Sequence, residues 1–275
     1  MTGEVAASDE AGFRLLTEKI ARERRFGCAS YKEKCLRRRI AVRMRARGVH
    51  AFADYAQLLD ADAREYDRLI DALTINVTRL FRNREVYEVL ERIVIPTVWS
   101  RPDGPLRVWS AGCSSGEEPY SLAVLFHLHA SRLDEVARLS RLDVLGTDID
   151  RVSLENAARG GFDAGDFAET PEVVRTAYFG AEPPFTVRDD VRRMVRFATV
   201  DLLHDPAPPG PHHLILCRNV LIYFDRDSQE RLFSTFFDAL APGGFLVLGK
   251  VETLLGDARR RFTAVDARER IFQKP

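Results

Sequence analysis

Residues 1–80 carry apolar side chains at the three- and four-residue spacing of amphipathic helices. The pattern predicts four helices, written in the sequence as FRLLTEKIARERRFG, YKEKCLRRRIAVRMRARG, FADYAQLLDAD and REYDRLIDALTIN. In the second helix, Leu36, Ile40 and Met44 share one face, and we expect this face to pack against the other helices. The same spacing directs the arginines of this helix mainly towards solvent, namely Arg37, Arg38, Arg39, Arg43, Arg45 and Arg47.

From Leu106 onward, stretches typical of strands alternate with stretches typical of helices. The predicted strands are LRVWSA, LDVLGTDI, VRFATVDLL, the start of HHLILCRNVLIYF, and GFLVLGK; the predicted helices are EPYSLAVLFHLHASR, DRVSLENAAR and SQERLFSTFFDAL. This alternation predicts a parallel sheet with helices on both faces, and FTAVDARERIFQKP could add an antiparallel strand pair. Residues 160–195 interrupt the alternation, and their glycine, proline and charge content predicts a small insertion with a helix and short antiparallel strands.

The composition of the 275 residues suits a globular protein with one large domain or two modest ones, because 45% are hydrophobic and 30% are charged. The formal net charge is zero, which gives no indication of a nucleic-acid partner. The amino terminus lacks the features of a signal peptide, and no apolar stretch approaches the roughly 18 residues of a membrane span. The four cysteines have no zinc-site spacing. We therefore expect a cytoplasmic protein with free thiols, no metal and no membrane insertion.

The loop after the first strand of the alternating region reads Gly112-Cys113-Ser114-Ser115-Gly116, which is a G-x-S-x-G pattern. This pattern can mark the nucleophile of a serine hydrolase. Small residues between a strand and a helix can equally cradle a nucleotide cofactor. The two hypotheses require different partner residues elsewhere in the chain.

The hydrolase hypothesis requires a histidine base late in the chain with an acid between it and the serine. His127 and His129 lie in the helix directly after the loop, and His212 and His213 precede a strand at its amino end. His204 is the remaining candidate after the loop, and the sequence gives it no clear acid partner. The pattern of histidines therefore disfavours a hydrolase.

The cofactor hypothesis requires acids at the carboxyl ends of neighbouring strands, and these are present. Asp148 follows the second strand, where it can accept hydrogen bonds from two ribose hydroxyls, and Asp201 follows the third, where it could accept one from an adenine amino group. Glu117 and Glu118 lie at the start of the helix and would repel the pyrophosphate of a dinucleotide. We therefore expect S-adenosylmethionine (SAM), whose sulfonium and amino groups are cationic.

Four strings resemble the CheR-type chemotaxis receptor methyltransferases: LTINVTRLFRN (73–83), VWSAGCSSGEEPYSLA (108–123), GTDID (146–150) and LCRNVLIYF (216–224). The resemblance implies an α/β protein with a small N-terminal all-helical domain and a Rossmann-like SAM methyltransferase domain that carries a small inserted β-subdomain. It also implies domain boundaries: residues 1–82 form the helical receptor-docking domain, 83–104 a linker helix and 105–275 the methyltransferase domain, with the insertion at about 160–195.

The resemblance further implies which residues contact the donor and the acceptor. The donor-binding residues would be Asn76, Thr78, Arg82, Gly112, Glu118, Asp148, Asp201, Leu202, Arg218 and Asn219. Arg82 and Tyr223 would face the reacting methyl group and the acceptor carboxylate. Two strings depart from the family: Asp201-Leu202 stands where Asn-Leu is usual, and Gly249-Lys250-Val251-Glu252 stands where G-H-S-E is common.

The implied reaction is methyl transfer from SAM to glutamate side chains of chemoreceptors, which leaves S-adenosylhomocysteine and serves sensory adaptation. The partner would be the cytoplasmic helical domain of a methyl-accepting chemoreceptor, met by a monomer through Arg38, Arg39 and Arg43. A plain solvated face and a nucleic-acid surface are the alternatives for this arginine-rich helix. For the whole protein, the alternatives are a methyltransferase of the same fold with a non-receptor substrate and a non-catalytic SAM-binding regulatory module.

Overall fold

The computed structural model describes residues 2–24, 26–74, 78–102 and 104–275. The chain divides into two compact units. The smaller unit comprises Met1–Ile75 together with Tyr223–Ser228, and the larger comprises Asn76–Ile222 together with Gln229–Pro275. The predicted boundaries of the docking domain and the linker helix stay predictions. Among the described helices, none combines the length and the apolar character needed to cross a membrane.

The smaller unit consists mainly of helices, and each of the four predicted helices is present. They are α1 (Thr2–Arg24), α2 (Glu33–Ala46), α3 (Phe52–Ala61) and α4 (Ala63–Leu73). Leu36, Ile40 and Met44 of α2 are buried in the core of this unit, as their spacing predicts. Asp62 begins α4, because its side chain accepts a hydrogen bond from the Glu65 amide and satisfies a donor that lacks an intrahelical partner.

The larger unit is built on a mostly parallel sheet, as the alternation predicts. Its strands are β1 (Leu106–Ala111), β2 (Leu142–Asp148), β3 (Gly161–Phe162), β4 (Phe185–Thr186), β5 (Val195–Thr199), β6 (His212–Cys217), β7 (Leu240–Leu248), β8 (Thr263–Asp266) and β9 (Ile271–Gln273). Seven of them form one sheet in the order β5-β2-β1-β6-β7-β9-β8. The first five in this order are parallel to one another, and β9 and β8 add the predicted antiparallel pair.

Short and long helices accompany these strands. They are α5 (Arg84–Val89), α6 (Ile95–Trp99), α7 (Glu117–Arg132), α8 (Arg151–Arg159), α9 (Glu172–Tyr178), α10 (Asp189–Arg192), α11 (Arg226–Ala239) and α12 (Ala258–Arg261). A π-helical turn at Leu90–Val94 joins α5 to α6. Because β1, β2, β5 and β6 are parallel, their carboxyl ends lie along one edge of the sheet, which we call the carboxyl edge.

The insertion at residues 160–195 contains the predicted helix and antiparallel strands. Its strands β3 and β4 pair antiparallel to each other, separately from the main sheet. Phe162 on β3 packs its ring edge against Phe179 and against Tyr120 of α7, with ring centroids 5.9 and 5.8 Å away. The insertion is therefore anchored by aromatic side chains to the helix that follows the Gly112–Gly116 loop.

Candidate donor-binding site

Three residues of the loop after β1 have a left-handed backbone conformation, which lets the chain turn sharply between β1 and α7. Gly112, Ser114 and Gly116 have φ values of 78°, 50° and 95°. A Cβ at Gly112 would lie 2.5 Å from the Val220 side chain, and a Cβ at Gly116 would lie 2.8 Å from Ala157. These contacts show that each glycine lets the loop pack against its own protein, namely against Val220 after β6 and Ala157 of α8. The role of Gly112 in donor binding stays a prediction.

Asp148, at the end of β2, lies against this loop. Its Oδ2 accepts a hydrogen bond from the Ser114 amide at 2.8 Å, and its Oδ1 accepts one from the Asp150 amide at 3.0 Å. Burial raises the pKa of Asp148, although these backbone donors oppose the shift. Asp150 begins α8 by accepting hydrogen bonds from the amides of Val152 and Ser153, so Asp148 does not serve as the helix cap. Each Asp148 oxygen therefore keeps a lone pair for a ligand hydroxyl.

The charge of Glu118 is balanced within the chain. Its Oε2 lies 3.2 Å from Nη1 of Arg218, and its Oε1 accepts a hydrogen bond from Ser110 Oγ at 2.7 Å. The other terminal nitrogen of Arg218 donates to the Arg82 carbonyl and to Asn83 Oδ1. Sequence reasoning placed Glu118 and Arg218 separately at the donor; the structure pairs them beneath the carboxyl edge, with Arg218 almost fully buried.

Glu117 is buried beside the same helix start. Ser115 Oγ lies within hydrogen-bonding distance of both carboxylate oxygens, at 2.9 and 3.0 Å. Burial raises the pKa of Glu117 to about 7. One of the two glutamates is thus paired with an arginine and the other titrates near neutrality. The two glutamates therefore carry less free negative charge than their sequence position suggests, and repulsion of a pyrophosphate by them is weaker than expected.

Asp201 lies near Asp148 at the carboxyl edge, because Thr199 of β5 pairs with Asp148 of β2 and Asp201 follows two residues later. Its Oδ1 accepts a hydrogen bond from the Leu203 amide at 2.9 Å, and its Oδ2 lies 2.8 Å from Nδ1 of His204. Leu202, the residue that follows Asp201, is half-buried. The expectation that His204 lacks an acid partner is therefore wrong. The hydrolase hypothesis still fails, because Ser114 Oγ is buried without a hydrogen-bond partner and so contacts no base.

Glu252 is a residue that sequence reasoning did not assign to the site. Its Oε2 accepts hydrogen bonds from the amides of Gly249 at 2.6 Å and Asn219 at 2.9 Å, and its Oε1 accepts one from Ile222 at 3.3 Å. Burial raises the pKa of Glu252 against these backbone donors. The Asn219 backbone is left-handed, with φ of 61°, and Glu252 secures this turn. In the sequence, the position of Glu252 shortly after β7 is the feature that could have indicated this role.

The departure from G-H-S-E lies on the surface. Lys250 is exposed and pairs with Glu85 at 3.0 Å, and Val251 is exposed as well. A Cβ at Gly249 would lie 2.8 Å from the Asn219 amide nitrogen. The two positions of the string that contact the site, Gly249 and Glu252, are the ones that agree with the family.

The remaining predicted residues are distributed over both units. Asn76 lies outside the described residues, and Thr78 and Arg82 are half-buried in the larger unit. Tyr223 ends a 3-10 turn at Leu221–Tyr223 and is grouped with the smaller unit. Its carbonyl accepts a hydrogen bond from the Lys32 amide at 2.8 Å.

The docking arginines are less exposed than the helical spacing predicts. Arg38 is exposed. Arg43 instead pairs with the buried Glu65, and Arg39 donates to the Ala72 carbonyl at 2.7 Å. The solvent-facing prediction is therefore wrong for Arg39 and Arg43. An arginine side chain is long enough to reach from a polar position on its own helix to a partner on a neighbouring helix.

Arg37 and Arg39 also lie over aromatic rings of the smaller unit. The guanidinium of Arg37 is 3.9 Å from the centre of the Phe13 ring, so the solvent-facing prediction is wrong for Arg37 too. The guanidinium of Arg39 is 5.1 Å from the centre of the Tyr223 ring. Arg39 thus links the end of α4 to the segment that contains Tyr223.

The side chains at the carboxyl edge fit SAM. Ser114 Oγ and Asn219 Oδ1 are buried polar atoms without hydrogen-bond partners, and a polar ligand bound at this edge would supply such partners. Asp148 and Asp201 add carboxylate acceptors for ribose hydroxyls and an adenine amino group. The described residues contain no cluster of histidine, cysteine, aspartate and glutamate that could hold a metal ion.

Comparison with known proteins agrees with this fit. Residues 76–271 match the CheR methyltransferase, SAM binding domain, and residues 11–74 match the CheR methyltransferase, all-alpha domain. A chemotaxis protein methyltransferase of Listeria innocua is 34% identical over 90% of this chain and 92% of its own length. One from Escherichia coli is 32% identical over 96% of this chain and 91% of its own. The chain therefore belongs to the CheR methyltransferase family and is a SAM-dependent methyltransferase.

Proposed function

We propose that this methyltransferase converts glutamate side chains of chemoreceptors to methyl esters for sensory adaptation, acting in the cytoplasm as a monomer. The observation that carries the proposal is the set of groups at the carboxyl edge. Asp148 and Asn219 offer ligand acceptors, and Ser114 Oγ contacts no base. This set suits an acceptor that needs no deprotonation. The relatives' name, chemotaxis protein methyltransferase, supports a receptor as that acceptor.

A glutamate acceptor accounts for the chemistry without a general base. Its side chain has an ordinary pKa of about 4.3, so it is already an anionic nucleophile at neutral pH. Bound SAM supplies an electrophilic methyl group on a sulfonium. The task of the protein is to align the carboxylate with that methyl group and to exclude water, and such alignment can contribute about 7–11 kcal/mol.

Each predicted site residue then has a definite task. Asp148 accepts hydrogen bonds from ribose hydroxyls, and Asp201 accepts one from the adenine amino group. The side chain of Asn219 binds the donor through its unpaired Oδ1. Arg82 steers the acceptor carboxylate with its planar guanidinium. Tyr223 orients the acceptor oxygen or the methyl group with its hydroxyl. The Glu118–Arg218 pair supports the floor of the donor site.

For receptor docking we propose the exposed face of α2. Lys34, Arg38 and Arg45 are exposed there, at spacings that bring them to one side of the helix, and Val42 is half exposed between them. This basic face would meet an acidic helical surface around the methylated glutamates. Its charges would increase the rate of encounter and lose their effect as salt is added.

The proposal is tested by incubating the purified protein with tritiated SAM and membranes that contain an overproduced chemoreceptor. Transferred label should be released by mild base as methanol, since carboxyl methyl esters hydrolyse under these conditions. Membranes without the receptor and the Asp148→Ala variant are the controls. Label in another protein would favour a non-receptor substrate. Tight SAM binding without transfer to any membrane or cell protein would favour the regulatory module.

A further inference from the structure

The segment that carries Arg82 has a strained backbone. Phe81 and Asn83, on either side of Arg82, have φ values of 56° and 60°, in the left-handed region. This region costs free energy for residues other than glycine, and for a bulky residue such as phenylalanine it is rare. Asparagine tolerates this region better than other residues, but Phe81 persists in it only where surrounding groups hold the backbone. The contacts of Leu80–Asn83 identify those groups.

The inserted subdomain holds this segment from one side. The Asn83 amide donates to Glu169 Oε2 at 2.6 Å, and the Leu80 amide donates to the Asp166 carbonyl at 3.0 Å. Glu169 Oε1 also lies 3.9 Å from Nη1 of Arg79. Glu169 therefore contacts the chain both before and after Arg82, and its hydrogen bond to Asn83 involves the peptide group that directly follows Arg82.

The core of the larger unit holds the segment as well. The Phe81 amide donates to Ser121 Oγ of α7 at 2.9 Å. The Arg82 carbonyl and Asn83 Oδ1 both accept hydrogen bonds from Arg218 Nη2, at 2.8 and 3.0 Å. Ser121 and Arg218 belong to the buried core, whereas Glu169 is half-buried and can be replaced without leaving a buried charge unpaired.

We propose that Glu169 of the inserted subdomain is a positioning residue for methyl transfer, which fixes the backbone of Arg82 through the Asn83 amide. The inference rests on the proposed function, in which Arg82 steers the acceptor carboxylate. Glu169 acts through Arg82. Its charged oxygen forms a stronger hydrogen bond to an amide than a neutral acceptor would. Loss of this bond releases the left-handed turn and shifts the guanidinium.

The test compares initial rates and donor affinity for Glu169→Ala, Glu169→Gln and the control Glu172→Ala. Glu172 is an exposed acid of the same subdomain that pairs with Arg175. Because a misplaced catalytic group can cost about 100-fold, Glu169→Ala should lower kcat by about 10- to 100-fold. KM and the affinity for S-adenosylhomocysteine should change less than about twofold. Glu169→Gln keeps an acceptor oxygen and should recover most of kcat, and Glu172→Ala should match the wild type.

Amide hydrogen exchange gives a readout that does not depend on activity. In Glu169→Ala, the amides of residues 80–83 should exchange at least about tenfold faster, whereas the rest of the sheet should be unchanged. Unchanged exchange, or unchanged kcat despite faster exchange, would overturn the inference. An equal loss of kcat in Glu172→Ala would also overturn it, because the effect would then be a general loosening of the subdomain.

A double variant separates this inference from the proposed function. If Glu169 acts through Arg82, Arg82→Ala combined with Glu169→Ala should be no slower than Arg82→Ala alone. Full activity of Arg82→Ala would contradict the role proposed for Arg82. Suppose instead that Arg82→Ala is slow, and that adding Glu169→Ala lowers the rate further by the full factor measured for Glu169→Ala alone. The role of Arg82 would then stand, and the positioning role of Glu169 would be overturned.

Discussion

Arg43 and Glu65 form a two-point ion pair within the smaller unit. The Nε atom of Arg43 lies 3.0 Å from Oε1 of Glu65, and Nη2 lies 2.6 Å from Oε2. Glu65 is fully buried, and Oε1 also accepts a hydrogen bond from the Tyr55 hydroxyl at 2.7 Å. An arginine on the basic helix thus neutralises a carboxylate in the core, which separates the stability role of this helix from its proposed docking role.

Replacing Arg43 with alanine should destabilise the protein by about 3 kcal/mol, because the buried Glu65 carboxylate loses its two-point partner and keeps only Arg47, whose Nε lies 3.9 Å away. The exposed Arg38 on the same helix is the control, and Arg38→Ala should change stability by less than about 0.5 kcal/mol. Urea unfolding measures both. Equal stabilities of the two variants would contradict the assignment of Arg43 to the core.

Reversing the exposed charges should affect receptor docking alone. The variant Lys34→Glu, Arg38→Glu, Arg45→Glu should raise KM for receptor membranes by about tenfold or more at low salt, since the attraction becomes repulsion. For the wild type, added salt should raise KM. The affinity for S-adenosylhomocysteine, measured by calorimetry, should not change. A variant with normal KM at low salt would leave this face as a plain solvated surface.

Asp148→Ala should weaken binding of S-adenosylhomocysteine by about 2–4 kcal/mol, because two ribose hydroxyls lose a charged acceptor. Asp143 provides the matched control, since it lies near the other end of β2 and pairs with Arg196 on the surface. Asp143→Ala should bind like the wild type. Unchanged affinity in a folded Asp148→Ala variant, measured by calorimetry, would exclude Asp148 from the site.

Glu117 should make stability depend on pH. Its pKa is raised from 4.5 to about 7, so the folded state holds the proton more tightly than the unfolded state. This contribution is fully present below pH 4.5 and is lost as pH rises through 7. Glu117→Gln should therefore match the wild type near pH 4.5 and exceed it by roughly 3 kcal/mol at pH 8. A difference in unfolding free energy that stays constant with pH would contradict a buried, titrating Glu117.

Local periodicity was sufficient to predict most elements, and tertiary contacts explain what it missed. The pattern of LRVWSA predicts β1 at the residues where it occurs, Leu106–Ala111. The same kind of reasoning directs Arg43 to solvent, because helical spacing takes no account of a carboxylate on another helix. Glu252 accepts hydrogen bonds from the amides of Asn219 and Ile222 and so links distant loops, and the left-handed backbone of Phe81 depends on groups that surround it. The acid after β7 is visible in the sequence, but its partners and the groups around Phe81 are not.

The most direct test of the account is to locate the transferred methyl group by mass spectrometry. Receptor membranes, the purified protein and SAM with a trideuterated methyl group are incubated, and the receptor is then digested and fragmented. We predict trideuteromethyl esters on glutamate side chains of the cytoplasmic helical domain, removed by mild base and absent when those glutamates are replaced by alanine. Label found on lysine, arginine or cysteine would contradict transfer to a carboxylate. Label that mild base does not remove would contradict it as well.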